Sequence, residues 1–378
     1  MRLLYFSRDY TTHDHRILTA LSKTEHQVYY LRLEQRGHAL EDRALPRQVE
    51  IVLWKGGKAP ATFKDGLWLW QDLKNVIHKI RPDVLQAGPI QRSAFLAALA
   101  GFHPLISMSW GYDLLVDAET NRWWRWATRY TLKHSDLLIG DCNTIRQLAV
   151  SYGMRQDRIV TFPWGIDLQQ FSPADAHEGE KDDPDRPFTL LSTRSWEAIY
   201  GVEVIARAFV QAAQEHAQLR LVMLGNGSQA ARLRQIFTQG GVEERVFFPG
   251  QVGQHDLPRY YRNADLYISA SHSDGTSISL LEAMACGKPV LVSDIPGNLE
   301  WVEAGINGWL FPDGNAEILA QAISQAVIER DKLPEMGHAA RKLAEKRANW
   351  NENFQQLLKA YQIVLRPHRC QIEVNFSP

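Results

Sequence analysis

Strand-length apolar runs alternate with helical periodicity along this chain, and the alternation is interrupted once, at SPADAHEGEKDDPDRP (residues 172–187). A short run that is apolar throughout suits a strand covered on both faces, and regular alternation of strand and helix builds parallel sheets. Residues 3–6 (LLYF), a helix through Ile17, Leu18 and Leu21, and the run at 28–33 make the first βαβ unit. Further strands are expected at 49–54, 83–86, 105–108, 136–140 and 158–162, with helices at 67–80 and 93–100. The interruption carries six acids and three prolines with almost no apolar side chains, so it cannot bury a core and reads as a linker. Beyond it the rhythm restarts with strands at 188–192, 219–224, 246–248 and 266–270. The expected fold class is α/β in two Rossmann-like domains, 1–171 and 188–347, followed by a helix within 348–366 and a tail, 367–378.

The composition narrows the partners. With 45% hydrophobic and 22% charged residues the balance is that of a globular chain, and a net charge of −1 argues against nucleic acid, which calls for a basic face. Three cysteines, Cys142, Cys286 and Cys370, are far apart and form no C-x-x-C pair, which fits a reducing cytoplasm and offers no Cys-based zinc site. The opening MRLLYFSRDY is too short in apolar residues for a secretory segment, and no window suits a spanning helix. Membrane contact is therefore expected to be peripheral if it occurs. Its candidate is NRWWRWATRYTLK (121–133), where Trp123, Trp126 and Tyr130 fall near one helical face and Arg122, Arg125 and Arg129 near another. Such a stripe either meets anionic lipid or packs against its own core.

The richest stretch is SHSDGTSISLLEAMACGKPVLVSDIPGN (271–298): a polar loop, a helix from about 277 to 286, and a strand at 289–292. A loop feeding a helix N-terminus presents unpaired N–H groups and a partial positive charge, which suits a phosphate. Asp274 and Glu282 frame that helix start. The alternative is a capping box, Ser279-x-x-Glu282, serving only the helix's own N–H groups, with Gly287 as its stop signal. A second glycine turn, Gly225-Asn226-Gly227, also follows a strand and opens a helix. In the first domain, polar turns at strand ends carry Arg8, Asp9 and His13, and Trp110 and Asp113, which are candidates for an acceptor site or ordinary turn residues. His13-x-His15 resembles part of a metal site, but no third ligand is apparent, and a solvated or acceptor-facing loop is the preferred reading.

Taken together, these motifs resemble the family 4 retaining glycosyltransferases, which have the GT-B architecture of two Rossmann-like domains facing across a cleft. Phe162-Pro163-Trp164-Gly165-Ile166-Asp167-x-x-x-Phe171 is similar to the family's N-G-V-D-x-x-x-F. Val246-Phe247-Phe248-Pro249-Gly250 is similar to its V-x-F-x-G, and Tyr261-Arg262-Asn263-Ala264-Asp265 to its Y-x-x-A-D. The 271–298 stretch resembles its acid-G-x-S-x-x-x-x-E-A-M-A-x-G-x-P-V signature, and Glu300, Asn307-Gly308 and Trp350 continue the match.

The resemblance implies a donor diphosphate on the backbone of Gly275, Thr276, Ser277 and Ile278, with Gly225, Asn226, Gly227, Gly250 and Val252 completing the donor site. It assigns Glu282 to the ribose, Asp274 to the transferred sugar, Arg194 to charge on the leaving phosphate, and the last helix to a return onto the first domain. The implied activity is retaining transfer from a nucleoside diphosphate sugar, uridine first and guanosine next, to a glycan, a lipid-linked or a small-molecule acceptor, with no metal or cofactor. The alternatives are a sugar-nucleotide-binding protein without turnover and an epimerase of the same fold. Three departures stand out: Asp274 replaces the usual glutamate, the lysine after the arginine is missing from Arg194-Ser-Trp-Glu197-Ala-Ile-Tyr200-Gly201, and Trp110-Gly111 replaces a His-Gly.

Overall fold

A computed structural model describes residues 1–35, 41, 43–174 and 186–366. Most of the expected linker and the whole of the 367–378 tail lie outside the described residues. The chain divides into two compact units, Met1–Gly140 with Ile145–Phe162 and Phe354–Pro378, and Asp141–Thr144 with Pro163–Asn353.

The first unit is built on seven parallel strands: β1 (Arg2–Ser7), β2 (Gln27–Arg32), β3 (Val49–Ile51), β4 (Val84–Gly88), β5 (Leu105–Met108), β6 (Leu137–Gly140) and β7 (Ile159–Thr161). Their spatial order is β3-β2-β1-β4-β5-β6-β7. The apolar runs are central strands for the reason inferred from sequence. In β4, β5 and β6 every residue is buried, because helices cover both faces. Fully burying each such Leu, Ile or Val is worth about 1.5–3 kcal/mol. The expected helix at 93–100 begins earlier and in two parts, a single π turn (Ile90–Ala94) running into the helix Phe95–Ala100.

The second unit has six parallel strands: β8 (Phe188–Ser192), β9 (Leu219–Leu224), β10 (Val246–Gly250), β11 (Leu266–Ser269), β12 (Val290–Ser293) and β13 (Gly308–Phe311), in the order β10-β9-β8-β11-β12-β13. Both sheets therefore reverse direction of growth beside their first strand, between β1 and β4 and between β8 and β11. At such a point the connections leave to opposite faces, and a crevice opens beyond the carboxyl ends of the strands.

The second unit starts at Pro163, ahead of the boundary expected after 171. Ile166 pairs with Asn349, its N–H reaches Ala348 O at 2.6 Å, and Trp350 N–H returns to Ile166 O at 3.1 Å. These bonds tie 163–171 to the chain just before the last helix, a pairing that local periodicity does not encode. That helix, Trp350–Leu365, starts in the second unit and belongs to the first from Phe354 onward, where buried Tyr361 donates its hydroxyl to Gln86 Oε1 of β4.

Candidate functional site

In the second unit the chain leaves β8 at Ser192 and reaches Arg194 two residues later, while β11 delivers the loop 271–277 to the other side of the same crevice. Arg194 Nη2 lies 2.8 Å from Asp274 Oδ2, and Nη1 donates to Ser277 Oγ at 3.1 Å and Ser279 Oγ at 3.3 Å. The guanidinium sits 4.0 Å from the Tyr200 ring. Burial alone would favour its neutral form, but the Asp274 carboxylate together with Tyr200, Tyr267 and Tyr261 outweighs burial and holds the cation more firmly charged than usual. Tyr200, in the segment that lacks the family lysine, thus supplies a neutral face beneath the arginine, a role the sequence reading did not assign.

The helix after the loop is Ile278–Ala285, with Ser277 as its N-cap and no side-chain capping bond. The capping-box alternative is thereby overturned. Ser279 lies inside the helix and accepts from the Tyr267 hydroxyl at 2.7 Å. Glu282, 3% exposed, instead accepts from Gln254 Nε2 at 3.0 Å and from the Tyr261 hydroxyl at 2.9 Å. A carboxylate so buried needs such donors, and they also fix its direction. Both come from the stretch between β10 and β11, a long-range arrangement no local motif announces.

Asp141, just after β6, was not among the expected site residues. Its Oδ2 accepts from Thr276 N–H at 2.8 Å, and its backbone carbonyl accepts from Thr276 Oγ1 at 2.8 Å. A Cβ at Gly275 would stand 2.6 Å from that Oδ2, so only glycine fits beside the carboxylate. Burial raises the Asp141 carboxyl to about 7, with the Thr276 N–H opposing and the Asp274 charge adding to the rise. The signal in the sequence was its place, a polar turn at a strand's carboxyl end like those at Ser7 and Ser109.

Gly225 and Gly250 are joined, Gly225 N–H to Gly250 O at 2.7 Å. Asn226 turns its side chain onto Gly227 N–H, and a Cβ at Gly227 would meet Trp196 O at 2.5 Å. Glu197 takes the Ser228 N–H at 2.9 Å, closing that turn. Val252 packs on the apolar cluster around Leu280 and Leu281.

The first-unit candidates gather at the carboxyl ends of β1 and β5. The His13 ring lies 4.9 Å from that of Trp110. Arg8 Nε donates to Glu34 at 2.5 Å, and Asp9 accepts from Tyr10 N–H at 2.7 Å with Arg32 at 3.7 Å. Asp113 has the partners of the turn-residue alternative. It is 2% exposed and takes Ser109 Oγ at 2.6 Å, Ile90 N–H at 2.9 Å and Leu114 N–H at 3.1 Å, so it braces the turns after β4 and β5. The tryptophan stripe packs against the core only in part, through Tyr130. In the helix Arg122–Lys133 the buried positions are Ala127, Thr128, Thr131 and Leu132, while Trp123 and Trp126 are each 45% exposed and stacked at 4.7 Å.

Fold and site together define a class: two doubly wound parallel α/β units, the second with an arginine and a glycine-bearing loop converging on a strand-end crevice. The chain matches the family model described as glycosyl transferases group 1 over residues 174–343 and that described as glycosyltransferase family 4 over residues 11–170. It belongs to the family 4 glycosyltransferases. It is 28% identical over 218 residues to a putative colanic acid biosynthesis glycosyltransferase, WcaL, of Escherichia coli K12, covering 55% of this chain and 52% of that one. It is 29% identical over 184 residues to the GtfA subunit of a UDP-N-acetylglucosamine–peptide N-acetylglucosaminyltransferase of Streptococcus pneumoniae, covering 48% and 34%. The chain thus spans about half or less of the curated relatives it matches. Among solved structures it resembles Anabaena HepE in complex with UDP-glucose, with a TM-score of 0.77 at 18% identity over 96% of this chain and 100% of that one. Sucrose-phosphate synthase from Thermosynechococcus elongatus gives 0.78 at 17% identity, over 96% and 99%.

Proposed function

We infer that this protein is a retaining glycosyltransferase that binds a nucleoside diphosphate sugar in its second unit and an acceptor hydroxyl in its first. The observation that carries the reading is a set of buried polar atoms without hydrogen-bond partners around one crevice: Ser192 Oγ, Arg194 Nε, Asp274 Oδ2 and Asp141 Oδ1. Such atoms cost free energy unless something fills their needs, and a diphosphate sugar offers both phosphate acceptors and sugar hydroxyl donors. A uridine donor is favoured and guanosine next, supported by relatives whose names carry UDP-N-acetylglucosamine and UDP-glucose.

In the proposed step the bond from the anomeric carbon to the phosphate oxygen breaks and the acceptor oxygen bonds that carbon on the same face. The acceptor proton passes to the departing phosphate. Charge gathers on the diphosphate, where Arg194 and the N–H groups at the start of the helix Ile278–Ala285 are already oriented. Glu282 would hold the ribose hydroxyls and Asp274 the transferred sugar. No metal ion enters this scheme.

The assay is release of nucleoside diphosphate from sugar nucleotides across a panel of glycan, lipid-linked and small acceptors. Binding without release would make the chain a binding protein, and isomerised donor without acceptor an epimerase. Contact with an anionic lipid surface on the side of a reducing cytoplasm forms part of the same reading, supported by exposed Trp123 and Trp126 and by buried Cys142 and Cys286, which form no disulfide.

A further inference from the structure

The buried polar atoms without partners fall into a second group, in the first unit. Gln91 Oε1, Arg92 Nε and Ser93 Oγ are three such atoms on consecutive residues of the π turn Ile90–Ala94. That turn follows β4, at the carboxyl end where the sheet reverses beside β1. π turns inserted ahead of a helix recur at ligand sites.

The place corresponds to the donor crevice of the other unit. There an arginine follows the first strand β8 and a ligand-type loop follows its neighbour β11; here Arg8 follows β1 and Arg92 lies in the turn after β4. Arg92 lies over the face of Trp124, with its guanidinium carbon 4.6 Å from the ring centroid. The ring restrains the guanidinium while Nε remains without a partner to meet a planar or tetrahedral anion. Among the described residues no carboxylate lies within ion-pair distance of it. Glu34 is engaged by Arg8 Nε and by Ala61 N–H at 2.9 Å, and Glu34 and then Asp117 act on Arg92 only from beyond ion-pair distance. Burial, and then the neighbouring Arg8 charge, weaken Arg92's hold on its proton. An anion placed there would relieve both and satisfy Nε.

We propose that the crevice between β1 and β4 binds the acceptor through an anionic group on it, a carboxylate or a phosphate, held by Arg92 with Arg8. The proposal rests on the reading of the first unit as the acceptor unit. It names a specificity, for acidic or phosphorylated sugars over neutral ones, that the family match does not supply.

The test titrates glucose 6-phosphate, glucuronate and glucose into the full chain carrying Arg194→Ala, which removes the competing phosphate contact in the second unit. At least one of the two anionic sugars is expected to bind about tenfold or more tightly than glucose, the worth of one hydrogen bond to a charged group. The tighter of the two identifies the group as phosphate or carboxylate. Arg92→Gln should lose that preference and Arg92→Lys recover part of it; should Arg92→Gln fail to fold, Arg8→Gln carries the same expectation. Glucose binding as tightly as both anions, or anion affinity unmoved by Arg92→Gln, overturns the proposal. Nucleoside diphosphate binding by the chain with Arg194 intact is measured alongside. Its absence would defeat the donor reading while leaving the anion result to stand or fall by itself.

Discussion

Arg194 and Asp274 approach to 2.8 Å, yet Arg194 Nε and Asp274 Oδ2 are both left without a hydrogen-bond partner. The contact has the distance of an ion pair without the alignment of a hydrogen bond. A pair in this state holds two charges in place while keeping lone pair and proton available, which suits the phosphate and sugar of the proposed donor. Because the residues follow β8 and β11, the strands that flank the reversal of the sheet, the backbone positions them before any ligand arrives.

Arg194→Ala should lower nucleoside diphosphate release about 100-fold or more, the usual loss when an oriented donor to developing charge is removed. It should also destabilise the fold by about 2–3 kcal/mol, less than for a fully buried pair because Asp274 keeps 20% of its side chain exposed. Steady-state release and thermal unfolding report the two effects separately. Undiminished release would remove Arg194 from the mechanism.

Glu282→Ala leaves the buried Tyr261 hydroxyl and Gln254 amide without their acceptor, at a cost of about 1–3 kcal/mol. Tyr261→Phe removes one of those donors while keeping the carboxylate, so it should weaken donor binding less than Glu282→Ala does. Calorimetric titration with UDP and GDP checks the ranking. Equal affinities for the two variants and the parent would show that Glu282 serves packing alone.

Gly275→Ala should cost about 1–3 kcal/mol through overpacking against Asp141. Adding Asp141→Ala removes the carboxylate that the new methyl strikes, so the double variant should be more stable than the sum of the single changes allows. Strict additivity of the unfolding free energies would mean that the loop relaxes in some other way.

Asp141 makes stability depend on pH in a defined direction. Its folded carboxyl titrates at about 7, above the ordinary aspartate value, chiefly because it is buried. Between about pH 4 and pH 7 the folded chain keeps a proton that the unfolded chain has released, so stability falls as pH rises, by up to about 1.4 kcal/mol per unit. Asp141→Asn should therefore gain on the parent as pH climbs through that window. Asp14 and Asp113, both raised by burial to about 6, act with the same sign but cancel in the comparison. A difference in unfolding midpoint that stays constant from pH 4 to pH 7 contradicts this account.

Trp123→Ala with Trp126→Ala should reduce co-sedimentation with vesicles containing phosphatidylglycerol while leaving nucleoside diphosphate affinity alone. The two rings are half-exposed on a helix whose buried side is Ala127, Thr128, Thr131 and Leu132, so their removal opens no core cavity. No loss of sedimentation would assign the aromatic ladder to packing with Phe95, which lies 5.6 Å from Trp126.

Much of the fold was legible because parallel strands are short, largely apolar runs, and such runs as LLIG at β6 and VLVS at β12 show at once. The glycine-bearing loop and Glu282 were legible for a related reason, since a strand end, a polar turn and a helix start are neighbours in sequence. Asp113 stayed open because a buried turn acid and a ligand-facing one have the same local pattern. The tryptophan stripe stayed open because periodicity reveals a face but not which face is covered.

The sequence by itself determined two parallel α/β units and the phosphate-suited turn at residues 271–298, since both rest on local pattern. Only the tertiary structure decided that Asp141 takes the Thr276 N–H from 135 residues away, that Tyr200 lies beneath Arg194, and that Glu282 faces Gln254 and Tyr261 instead of capping its own helix. Those pairings follow from which strands lie beside which, and strand order is set by burial summed over a whole sheet. A carboxylate's partner therefore cannot be read from its neighbours in the chain.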